Sequence, residues 1–185
     1  MIIKAHQLTI VITLLALLPF RAAGQDYSYQ AKIFGGVGIG KFFDDEGSLG
    51  KGATYRTGVE WRPLSRLGLQ GELSGVHHTR GDAFNVNGNA VSFSGNVVYY
   101  FSRSRVQPYI LAGIGVLKTS YNYGFPSIEA RRFSVSKTEA EVNFGGGLQL
   151  FLNRRWSLDP QIRFAASIPN YALANYFSIS AAYHW

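Results

Sequence analysis

The sequence contains no cysteine. That excludes a disulfide scaffold, a thiolate metal centre and a lipid-modified N-terminal cysteine. Charge is scarce as well. Asp, Glu, Lys and Arg supply only 16% of the 185 residues, against about 25% in an ordinary globular chain. Long apolar runs are also missing. The longest predominantly apolar stretch, Leu8 to Leu18, covers eleven residues before Pro19 ends it. A helix crossing a bilayer needs about 20, so no helical anchor is expected.

That short stretch has a different reading. Lys4 precedes it, Pro19 breaks it, and Ala22-Ala23-Gly24 follow with small side chains. These are the parts of a secretory signal peptide. Residues 1–24 are expected to be cleaved, leaving one domain over 25–185. Cleavage removes Lys4 and Arg21, so the net charge of +7 falls by two. The remaining positive charge is scattered over turns, which argues against a nucleic-acid partner.

What the sequence does have is glycine, tyrosine and phenylalanine (21, 11 and 13 residues) set in strict alternation. The last twelve residues, ANYFSISAAYHW, place Phe177, Ile179, Ala181, Tyr183 and Trp185 at every second position, with Ser178, Ser180, Ala182 and His184 between them. Period 2 marks a strand with one apolar face. Seven earlier segments share the pattern, for example Tyr55, Thr57, Val59 and Trp61 against Arg56, Gly58, Glu60 and Arg62. The first segment, Tyr27 to Gly40, is expected to carry Tyr29, Ala31, Ile33, Val37 and Ile39 on one face and Lys32 on the other. The fifth, Val106 to Tyr121, is apolar on both faces, and its inward side is not assignable. Short connections are expected after strands two, four and six. Longer polar ones are expected after strands one, three, five and seven, at Lys41–Gly52, Thr79–Asn89, Asn122–Lys137 and Ile168–Leu173. Transmembrane barrels have this asymmetry and an even strand count.

Alternation fixes two faces and not their direction. A soluble lipocalin-like barrel turns its apolar face inward; a membrane barrel turns it to lipid. Three features favour the second. The polar face is mostly Gly, Ser, Asn and Gln with a few balanced charges. Trp61, Trp156 and Trp185, joined by Phe101 and Tyr183, fall on the apolar face beside one set of turns, as an interfacial girdle requires. A signal peptide precedes the array. The expected fold is all-β, an eight-stranded antiparallel up-and-down transmembrane barrel. Eight strands enclose a bore that side chains fill. Lys32, Arg56, Glu60, Arg62, Glu72, Glu141, Asp159 and Arg163 are expected inside it as a charge network, because unpaired buried charges are costly.

IFGGVGIG (Ile33 to Gly40), PYILAGIGV (Pro108 to Val116), NFGGGLQL (Asn143 to Leu150) and the terminal aromatic strand resemble the small OmpA/OmpX-type outer-membrane β-barrel family. The resemblance implies a Gram-negative outer-membrane location with both termini periplasmic, contact with outer-membrane lipid and lipopolysaccharide, and recognition of the last strand by the assembly machinery. Nothing follows the eighth strand, so no peptidoglycan-binding domain is expected.

Catalytic and metal signatures are weak. Gly35 to Lys41 nearly matches a phosphate-binding P-loop, yet Phe42 stands where Ser or Thr is needed and no helical pattern follows. His77 and His78 are adjacent, so on a strand they face opposite sides and do not form a metal pair. Lipid A deacylases of this architecture carry His-x-Ser-Asn; the corresponding stretch here is Ala165-Ala166-Ser167-Ile168, a serine without its histidine base. No enzyme, cofactor or metal is expected. Arg131, Arg132 and Lys137 in the third outer loop are candidates for lipopolysaccharide phosphates. The expected role is structural or surface-interactive (envelope integrity, adhesion or resistance), and the expected state is a monomer. A narrow channel or small-solute gate is the alternative; a lipid A-modifying enzyme or a soluble carrier ranks lower.

Overall fold

The computed structural model describes residues 27–44, 47–81, 85–124, 132–168 and 173–185. The expected signal peptide lies outside them. Eight strands follow one another: β1 (Ala31–Asp44), β2 (Gly47–Leu64), β3 (Leu67–Gly81), β4 (Asn85–Tyr100), β5 (Val106–Gly124), β6 (Arg132–Phe151), β7 (Trp156–Ile168) and β8 (Leu173–His184). Each pairs antiparallel with the next, and β8 returns to β1 to close the barrel. The closing seam runs from Lys32↔His184 to Phe43↔Leu173. No strand edge is left to template aggregation.

The barrel is inside out. Val59, Leu69, Val97 and Ile179 face outward and are about half exposed, and Ile114 is 71% exposed, while Glu72 and Arg163 on the opposite face are 1% and 0% exposed. An apolar exterior of this extent is matched to hydrocarbon.

Three expectations need correction. The polar stretches at 41–52, 79–89 and 122–137 are largely strand: Thr79 pairs with Asn87, and Asn122 with Ser134. Turn-forming composition lost to pairing because each hairpin simply continues beyond the apolar band. The expected contrast in connection length therefore resides in strand extension and not in loop length; the gap between β1 and β2 is only residues 45–46. Tyr29, expected on the apolar face, is buried inside. It precedes β1, so strand alternation does not extend to it. Strand β5, unassignable from sequence, turns Gln107, Tyr109, Leu111, Leu117 and Thr119 inward.

Two local features shape the bore. Gly58 lies directly across from Phe34, and a Cβ there would sit 2.6 Å from Phe34 Cζ; the missing side chain makes room for the ring. Pro160, with no N–H to donate, falls where the β6–β7 ladder skips from Gly147↔Gln161 to Leu150↔Leu158.

Candidate functional site

The candidate site is the filled interior together with its two rims. The bore holds two ion-paired clusters separated by aromatic rings.

The first cluster lies toward the end bearing Tyr27 and Trp185. Lys32, on β1, reaches Asp159 Oδ2 at 3.0 Å and Glu60 Oε2 at 3.3 Å. Arg62 Nε lies 3.4 Å from Glu60 Oε1. Period 2 brings Glu60 and Arg62 to the same face of β2, and register sets Lys32 opposite Glu60. Tyr100 donates to Glu60 at 2.9 Å, while Lys32 Nζ donates to the Tyr100 hydroxyl at 3.1 Å. Arg62 Nη2 donates to Tyr29 at 2.6 Å and to Gln107 Oε1 at 3.2 Å. Its guanidinium also lies 3.5 Å from the Tyr100 ring centroid and 3.8 Å from that of Tyr29. Burial pushes the Tyr29 phenol well above its usual range, so it remains a proton donor. Two cations face two carboxylates, and the cluster is neutral.

The second cluster centres on Glu72. Arg163 grips it with two parallel bonds, Nη1 to Oε1 at 2.6 Å and Nη2 to Oε2 at 3.0 Å. Arg56 Nη2 lies 3.0 Å from Oε2, and Gln70 Nε2 donates to the same oxygen at 2.7 Å. Such bidentate, charge-assisted pairs are among the strongest hydrogen bonds. Glu141, farther toward the other end, accepts from Asn143 at 3.4 Å. With it, this group is neutral too.

Phe34 lies between the clusters. Lys32 Nζ is 5.7 Å from its ring centroid on one side, and the Arg56 guanidinium 4.6 Å away on the other. Tyr109 extends the partition, its ring 5.4 Å from that of Tyr100. Beyond Glu72, Val76, Ala90, Leu117, Ala165, Ala174 and Tyr176 form a buried apolar cluster. With Glu141 they line a cavity of about 20 Å³, room for about one water. An accessible channel would leave its lining exposed. The charged groups here are almost fully buried, so side chains occupy the bore.

All eight residues expected in the interior charge network are thus buried there. Sequence reasoning missed Phe34, Tyr29, Tyr100, Tyr109, Gln107, Gln149 and His184. For Phe34, Tyr100, Gln149 and His184 the usable sign was parity, since each shares a strand face with a residue already placed inside.

At the terminal end, Trp61, Phe101, Trp156 and Trp185 are 47–61% exposed. Tyr99 meets Phe101 edge-on at 5.3 Å, Trp156 meets Tyr183 at 5.2 Å, and Tyr183 stacks on Trp185 at 6.2 Å. At the far rim, Lys137 Nζ is 2.8 Å from Glu139 Oε1, so its charge already has a partner. Arg131 lies outside the described residues, and of Arg132 only the backbone is described, paired with Gly124.

The chemical candidates disperse. The P-loop-like glycines lie within β1, with no helix following. His77 Nδ1 contacts Asn89 Oδ1 at 2.5 Å on the exterior, and the His78 side chain is outside the described residues. Ser167 pairs across β6–β7 with Glu141, whereas His184 contacts Ser157 at 2.8 Å in the first cluster; the two are not brought together. Among the described residues no His, Asp and Glu group could hold a metal ion.

A family model described as the outer membrane protein beta-barrel domain matches residues 10–184. None of the curated proteins searched matches the chain. Solved structures do. Neisserial surface protein A is 14% identical with a TM-score of 0.67, the match covering 84% of this chain and 97% of that one. Ail, the attachment invasion locus protein of Yersinia pestis, is 13% identical with a TM-score of 0.62, over 85% and 99%. The outer membrane protein OprG of Pseudomonas aeruginosa is 11% identical with a TM-score of 0.55, over 87% and 99%. At these identities the likeness is one of fold.

Proposed function

The chain belongs to the outer membrane protein beta-barrel domain family, and from that premise we propose a closed, non-enzymatic scaffold of the Gram-negative outer membrane with a structural or surface-interactive role in envelope integrity, adhesion or resistance. The observation that carries this reading is the occupied bore. Arg163, Glu72 and Glu60 are at most 1% exposed, and opening a path past them would strip buried charges of their partners, at about 3–5 kcal/mol per broken pair. In planar bilayers the purified barrel is expected to give no conductance of general-porin size; steps of that size would overturn the reading. The separation of Ser167 from His184 supports the non-enzymatic part, and unchanged lipid A mass spectra on overexpression are the matching test.

The remaining parts follow from orientation. Residues 1–24 are removed on export, both termini of the barrel face the periplasm, and the aromatic girdle sits at the inner-leaflet boundary. The last strand is read by the assembly machinery, and the barrel is a monomer. Arg131, Arg132 and Lys137 then lie at the outer rim, available to lipopolysaccharide phosphates, Lys137 in exchange for Glu139.

One observation favours the alternative of a narrow channel or small-solute gate. Thr54 Oγ1, both amide atoms of Gln161, Ser178 Oγ and Ser180 Oγ are buried without partners. Thr54 on β2 and Ser178 and Ser180 on β8 flank Gly36 and Gly38 of β1, and Gln161 on β7 pairs with Ser178. A lane of water there would satisfy them, and osmotic swelling of liposomes with small solutes tests for passage along it.

A further inference from the structure

A pocket of about 270 Å³ opens at the terminal end of the barrel, lined by Ser28, Tyr29, Arg154, Arg155, Tyr183, His184 and Trp185. Its basic wall is a built turn. Asn153 Oδ1 accepts from the backbone N–H groups of Arg155 and Trp156 at 2.8 and 2.9 Å, and Arg155 O accepts from His184 N at 2.8 Å. The two arginines are thereby carried on a fixed backbone. Other arginines at this end are engaged: Arg103 donates to Ser65 and Arg105 to Phe151 O. Arg154 and Arg155 have no carboxylate partner among the described residues.

The wall next to the bore supplies the second observation. Gln149 Oε1 accepts from Tyr29 and Arg62, which fixes the amide so that Nε2 faces His184 Nε2 at 3.1 Å. An amide N–H2 only donates, so His184 Nε2 must accept, and the ring proton of the neutral tautomer sits on Nδ1. His184 is 1% exposed, and that Nδ1 has no partner. A buried donor thus remains beside a pocket that already carries two unpaired guanidinium groups. The third wall is the girdle, Tyr183 stacked on Trp185, where headgroups meet acyl chains.

We propose that this pocket binds one membrane phospholipid through its headgroup phosphate. Arg154 and Arg155 hold the phosphate oxygens, the His184 ring closes the wall behind them, and Tyr183 and Trp185 pack the glycerol and the start of the acyl chains. The inference rests on the outer-membrane reading, because only a barrel at bilayer depth meets such a lipid there.

The test is native mass spectrometry of the full barrel in detergent, titrated with phosphatidylglycerol, phosphatidylethanolamine, chain-matched diacylglycerol or inorganic phosphate. One phospholipid per barrel should survive detergent removal, and diacylglycerol should not. Replacing both guanidiniums (R154Q/R155Q) should lower the bound fraction at least about tenfold, since charge-assisted bonds carry the contact; R66Q, on a different turn, should leave it unchanged. Equal retention by R154Q/R155Q, equal retention of diacylglycerol, or displacement by equimolar inorganic phosphate would overturn the proposal. Heat-dependent gel migration reports closure of each barrel separately. A closed barrel that holds no lipid sinks this site and spares the membrane reading, whereas a chain that never forms a heat-shifting barrel sinks both. Should the double variant fail to close, the single variants R154Q and R155Q each carry the same expectation in part.

Discussion

The two charge clusters in the bore use the same residue types and reach neutrality in different ways. Around Glu60, charge is shared: Lys32 has two carboxylates within 3.3 Å, and Arg62 rests on Tyr29, Gln107 and two aromatic faces as well as on Glu60. Around Glu72, charge is concentrated: Arg163 and Arg56 both depend on one carboxylate. The unpartnered atoms follow the same division. Among the described residues, the guanidiniums on Glu72 leave Arg56 Nε and Nη1 and Arg163 Nε without partners, against Arg62 Nη1 alone for the guanidinium on Glu60. A network with redundant partners tolerates the loss of one, whereas a hub does not.

Neutralising the hub should therefore cost most. Glu72→Gln is expected to destabilise the barrel by about 3–5 kcal/mol, because it strands two buried guanidiniums. The urea midpoint in micelles, followed by tryptophan fluorescence, reads the change. Phe34→Ala should come next at about 3 kcal/mol, opening a cavity in the partition. The same exchange in the redundant cluster, Glu60→Gln, should cost only about 1–3 kcal/mol, since Asp159 still neutralises Lys32. Equal costs for Glu60→Gln and Glu72→Gln would break the contrast between sharing and concentration. The smallest effect separates two glutamines. Gln149→Met should cost about 1–2 kcal/mol by stripping partners from Tyr29, Arg62 and Ser157, whereas Gln161→Met, whose amide has none, should stay within about 0.5 kcal/mol of neutral.

The inside-out barrel and its charged interior were legible because alternation is unbroken where a strand separates lipid from a polar bore. In β4, Ser92, Ser94 and Asn96 alternate with Val91, Phe93 and Val97, and parity alone places every side chain. The pattern fails where the bore itself needs apolar bulk. Tyr109, Leu111 and Leu117 point inward on β5, so both of its faces read alike. Tyr29 escaped because it enters the bore from a segment that is not strand. Partner choice within the clusters escaped as well. Which carboxylate Lys32 meets depends on barrel tilt and on the positions of Gly58 and Gly147, where absent side chains admit Phe34 and the Tyr109 hydroxyl. Strand ends at the far rim were misjudged because Asn, Gly and Asp residues that favour turns were held in register by hairpins already formed below them.

Because each cluster sums to zero on its own side of Phe34, the barrel axis carries no net monopole for an electric field to push. A potential across the outer membrane, such as one set by fixed anions in the periplasm, would exert equal and opposite forces within each group. Displacing one whole group relative to the other would perform no electrical work. Rigid sliding of either group is therefore indifferent to voltage, and only drawing a cation away from its carboxylate within a group would couple to the field.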